Sequence, residues 1–157
     1  MIDRILLLKT TRAFYLYIFL DVVCVGMGMG VPFFCILFGF PVGWYIAQRM
    51  LKSDMIIYTA MKKALLYAVI TSGVTFIIMA GIWGWCIKML FDPEANLANF
   101  GLPMILYEPT ASFIGWLVLM IFISPCLQLL TTVFGAYLTI INKKSEEQRK
   151  VNSPKSL

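Results

Sequence analysis

The chain has 157 residues, 61% of them hydrophobic and 13% charged, with a formal net charge of +5 and no histidine. Soluble domains run at about 45–50% apolar and about 25% charged, so there is too little polar surface to coat a water-soluble globule, and no polar segment is long enough for a second core. The missing histidine removes the commonest metal ligand and the usual general base near neutral pH.

Charge placement organises the rest. Of the 13 Lys and Arg residues, all but Lys88 fall into three clusters: Arg4, Lys9 and Arg12; Arg49, Lys52, Lys62 and Lys63; and Lys143, Lys144, Arg149, Lys150 and Lys155. If the apolar stretches between them cross a bilayer, every cluster lands on one side, the pattern of a positive cytoplasmic face. The expected fold is therefore all-α: an integral membrane protein of four transmembrane helices in two antiparallel hairpins, with N- and C-termini cytoplasmic. The basic residues flank apolar runs and form no patch interleaved with aromatics, which argues against nucleic acid as a partner. The expected partner is a lipid bilayer, in a cell membrane of bacterial or archaeal type.

Residues 1–12 read as a cytoplasmic interfacial segment, with Ile5-Leu6-Leu7-Leu8 between Arg4 and Lys9. Residues 13–48 form a predominantly apolar stretch, and as one helix they would extend about 54 Å against a ~30 Å hydrocarbon core. Gly26-Met27-Gly28-Met29-Gly30 has poor helix propensity and Pro32 suits the first turn of a new helix, so the stretch reads as a hairpin, with spans at about 13–28 and 32–50. No small-residue cleavage site follows the first run and Asp21 interrupts it, which favours a retained span over a signal peptide. Gly39, Pro41 and Gly43 predict a helix break in the second span. The third span is expected at about 64–89, with Trp83 and Trp85 in an outer aromatic belt, then an outer loop at about 91–111. The fourth is expected at about 112–141, starting at Ser112 as N-cap, with Trp116 in the belt and a tilt or a kink at Pro125. Residues 142–157 read as a disordered cytoplasmic tail.

Counting inward from the basic clusters at 1.5 Å per residue places Asp21, Thr71, Ser72, Thr75, Gln128, Thr131 and Thr132 in one layer roughly 12–20 Å deep, near the bilayer midplane. An ionised Asp there costs about 2.5–3.5 kcal/mol on insertion scales. Two readings of Asp21 follow. It locks helices together through Thr71, Ser72, Thr75, Gln128 or Thr131, at about 0.6 kcal/mol per contact, or these residues form an ion or proton site.

Weaker signals favour packing. Gly39-x3-Gly43, Ala80-x3-Gly84 and Thr131-x3-Gly135 permit close helix approach. Cys24, Cys35, Cys86 and Cys126 form no C-x-x-C pair and read as apolar packing residues, though Cys24 and Cys35 flank the same turn. Asp92, Glu94 and Glu108 read as a solvated outer loop. No catalytic residues, metal or cofactor are expected. The leading expectation is a non-enzymatic accessory or interaction subunit. The alternative is a small homo-oligomeric proton- or ion-coupled transporter or channel, in which a second copy or a larger membrane complex supplies the volume that four short spans lack.

Overall fold

The computed structural model describes residues 6, 9–27, 32–52, 57–97 and 107–152, and among these every regular element is helical. Helix α1 covers Thr10–Met27 and α2 Phe33–Leu51. Helix α3 covers Ile57–Trp83 and tightens into a 3₁₀ helix over Gly84–Phe91. Helix α4, Pro109–Val118, passes through a π-helical turn at Leu119–Ile123 into α5, Ser124–Asn152. As continuous rods these make four helices long and apolar enough to cross a membrane: Thr10–Met27, Phe33–Leu51, Ile57–Phe91 and Pro109–Glu146.

Several boundaries differ from those expected, for local reasons. The span expected from about 64 lies within a helix already formed at Ile57, since Lys62 and Lys63 are good helix formers and the edge of an apolar run need not end a helix. Helix α4 begins with Pro109 at its first turn, where a missing N–H costs nothing. Ser112 is therefore not the N-cap; it is buried inside the helix, and its N–H donates to the Glu108 carbonyl at 3.0 Å. Helix α5 runs to Asn152 through residues expected to be disordered from 142 onward. Lys, Glu, Gln and Arg there all favour helix, and the next breaker is Pro154. The interfacial reading of residues 1–8, apart from Leu6, the outer turn at 28–31 and the loop run from Leu102 lie outside the described residues.

The two intrahelical prolines behave differently. Helix α2 continues in α-helical hydrogen bonding through Pro41, and Gly39 and Gly43 give room to a neighbouring helix. Pro125 is preceded by the π turn, in which the Ser124 N–H reaches back to the Leu119 carbonyl. An extra residue in the turn is one way a helix accommodates a proline ring that would clash with the carbonyl four residues back.

The interior is tiered. At the end carrying Arg49, Lys62 and Lys143, Ile46, Ala47 and Met50 of α2 pack with Ala60 and Ala64 of α3 and Ala136 and Ile140 of α5. At the opposite end Cys35, Met79, Trp116 and Met120 form a second cluster, beside a third made of Phe113, Leu117 and Ile121. Trp116 thus belongs to the core and is not a belt residue, whereas Trp85 is exposed and carries the Lys88 ammonium 3.8 Å above its ring. Between the two ends lies a buried polar layer.

Candidate functional site

Asp21 is the centre of that layer. Its side chain is 0% exposed. Tyr17 and Asp21, one turn apart on the same face of α1, are its buried residues. Thr75 of α3 donates to Asp21 Oδ2 at 2.8 Å, and Gln128 Nε2 of α5 donates to Oδ1 at 3.2 Å. Three helices thus meet on one carboxyl.

Tyr17 ties the layer together. Its hydroxyl donates to the Thr71 carbonyl at 2.8 Å, lies 2.8 Å from Thr75 Oγ1 and accepts from Gln128 Nε2 at 3.3 Å. The ring stacks on Phe38 of α2, with centroids 5.7 Å apart. The pairings of Tyr17 with Thr71 and of Asp21 with Thr75 rise together along the chain, so α1 and α3 run parallel and a rigid register serves both residues.

The polar residues grouped by depth in the sequence divide into those that meet Asp21 and those that do not. Thr75 and Gln128 bond to it directly. Thr71 contributes its carbonyl, while its hydroxyl returns to Tyr67 and Ala68 of its own helix at 3.0 Å. Ser72 is buried, but its Oγ finds no partner among the described residues; the same holds for Ser124 Oγ and Gln128 Oε1. Thr131 belongs to a different contact: its hydroxyl donates across to the Ile36 carbonyl of α2 at 2.7 Å. Thr132 bonds to the Gln128 carbonyl at 2.7 Å, bracing the helix that carries the amide. Depth counting missed Tyr17, and the available signal was its position four residues before Asp21.

Gly39 and Gly43 let α5 approach α2 closely. A Cβ at Gly39 would collide with the Thr131 side chain and come within 2.7 Å of the Gln128 carbonyl oxygen. One at Gly43 would strike the Thr132 carbonyl and lie 2.8 Å from the Ala136 nitrogen. Gly135 reciprocates, since a Cβ there would lie 2.8 Å from the Phe40 carbonyl oxygen. Gly84 of the Ala80-x3-Gly84 pattern has open space around its Cβ position. Cys24 and Cys35 are free thiols, with Cys24 packed against the cluster that holds Cys35. Among the described residues no group of acidic, Cys or His side chains could hold a metal.

No family model, curated protein or solved structure matches this chain.

Proposed function

We propose that this chain is a four-span integral membrane protein with its basic end and both termini in the cytoplasm, acting as a non-enzymatic accessory or interaction subunit in which the Asp21 layer is a structural lock. The observation that supports this reading is enclosure. Asp21 is wholly buried, both of its oxygens are bonded to side chains of α3 and α5, and it shares with Tyr17 the attachment of α1. In hydrocarbon, where apolar faces gain little by leaving lipid, packing and interhelical hydrogen bonds are the available glue.

One observation favours the second reading, a proton site. Thr75 spends its hydroxyl hydrogen on Asp21 and Tyr17 spends its own on Thr71, yet their oxygens lie 2.8 Å apart. A proton on the carboxyl supplies the missing hydrogen by reversing the bond to Thr75, and the chain from Asp21 to Thr71 is then complete.

Asp21→Asn separates the readings, because its amide can donate to Thr75 while its carbonyl accepts from Gln128. The lock reading expects the variant to fold within about 0.5 kcal/mol of the parent, and proteoliposomes of both to show the same passive proton leak. Proton flux in the parent that Asn abolishes would establish the transporter reading. Orientation is tested with single cysteines at Glu94 and Lys144 in a cysteine-free background. Only the first should react with an impermeant reagent added to intact cells.

A further inference from the structure

An apolar groove lies between α1 and α2 beside the polar layer. It encloses about 290 Å³ and is floored by Tyr67 and Thr71 of α3. Leu16 and Leu20 wall it on one side and Phe38, Val42 and Trp44 on the other. Leu16, Leu20 and Trp44 are all exposed. The Tyr17 ring closes its inner side against Phe38 while the hydroxyl turns to the Asp21 layer. The gap exists because α1 is pinned at two levels, by Tyr17 and Asp21 in the middle and by the bond from Arg49 to Thr10 at the basic end.

We infer that this groove seats an acyl chain of an anionic phospholipid from the leaflet at the basic end, with the lipid phosphate on Arg49; the inference rests on the membrane-spanning reading above. Length supports it. From Thr10 to Leu20 the groove follows α1 for about 15 Å, half of a ~30 Å hydrocarbon core and so the depth of one leaflet. Charge supports it independently. Arg49 stands at the mouth and donates to two neutral acceptors, the Tyr45 hydroxyl at 3.2 Å and Thr10 Oγ1 at 2.9 Å. Among the described residues no carboxylate is bonded to it, and a guanidinium has further donors to offer a phosphate oxygen. Lys9 and Arg12, both exposed, are the sequence neighbours of the lining residues Thr10 and Ala13. Among the described carboxylates, Asp21 is engaged in the polar layer and Asp92, Glu94 and Glu108 lie toward the other end. Glu146 is on α5, which contributes no residue to the groove.

The test uses the full chain in nanodiscs of phosphatidylcholine with a minor share of phosphatidylglycerol, followed by native mass spectrometry of the lipid each chain retains. The parent should hold phosphatidylglycerol in preference to phosphatidylcholine. Arg49→Gln should reduce that preference about fivefold, the effect of one cation at a membrane surface. Lys144→Gln, which removes the same charge from α5, should leave it unchanged. Ala13→Trp should fill the groove and lower total retained lipid without altering charge; if that chain does not fold, the pair Arg49→Gln and Lys144→Gln decides. Equal retention of both lipids by the parent, or equal losses in the Arg49 and Lys144 variants, would overturn the inference. A chain that will not enter nanodiscs at all would overturn the membrane reading instead.

Discussion

Helices α2 and α1 neighbour the same two partners, α3 and α5, but meet them in different ways. Between α2 and α5 the backbones nearly touch: Gly39 and Gly43 on one helix face Thr131, Thr132 and Ala136 on the other, and Gly135 faces Phe40. A side-chain hydrogen bond from Thr131 to the Ile36 carbonyl also spans that seam. Helix α1 has no such seam. Its buried residues are Tyr17 and Asp21, and both hold their neighbours by polar contacts. The lesson concerns failure. A seam built on close backbone approach fails when volume is added, whereas an attachment built on a few hydrogen bonds fails when one partner is removed.

The largest effect should come from Gly43→Ala. Its methyl group meets backbone atoms of Thr132 and Ala136, which cannot rotate aside as a side chain could. The bundle should lose about 3 kcal/mol, at the upper end for overpacking, measured by detergent-titrated unfolding. A loss below about 1 kcal/mol would mean that the seam is less rigid than described.

Asp21→Leu attacks the other attachment. It removes the carboxylate acceptor of the Gln128 amide and the Thr75 hydroxyl, leaving them the longer bonds to the Tyr17 hydroxyl at 3.3 Å and the Thr71 carbonyl at 3.2 Å, at a cost of about 2 kcal/mol. Amide hydrogen exchange should speed up along α1 and stay slow along α2 and α5. Uniform acceleration would instead mean that α1 and the seam unfold as one unit.

Tyr17→Phe keeps the ring on Phe38 and deletes only the hydroxyl, so about 1 kcal/mol should be lost, with exchange again confined to α1. Thr131→Val is the smallest change. It removes the hydrogen bond to the Ile36 carbonyl while keeping the side chain's shape, and about 0.6 kcal/mol is expected. If Thr131→Val proves worse than Tyr17→Phe, the seam depends on its hydrogen bond more than on its glycines, and the contrast between the attachments weakens.

Much of this architecture was legible in residue order. The apolar runs, their lengths and the basic clusters between them define helices able to cross a membrane, because a bilayer's thickness sets a minimum run and one Asp among apolar residues must find partners. Depth counting also drew Asp21, Thr75 and Gln128 together, since helical rise is fixed at 1.5 Å per residue. Depth carries no information about azimuth, however. Thr131 shares the layer but faces α2, and Ser72 is buried beside the layer without joining it. The spacing of Gly39 and Gly43 likewise signals close approach by another helix without naming it; the missing Cβ atoms serve a helix nearly a hundred residues away in the chain.

Residue order by itself determined how many helices form, roughly how long they are and which residues share a level, because those follow from local propensity, helical rise and the cost of polar groups in an apolar run. Only the tertiary structure decided which helices touch. It set α2 closest against α5, across the hairpins expected from connectivity, it added polar bonds from α1 to α3 and α5, and it brought Tyr17 into the layer. Such pairings depend on which faces fit side by side, and that is settled by steric complementarity between residues far apart in the chain.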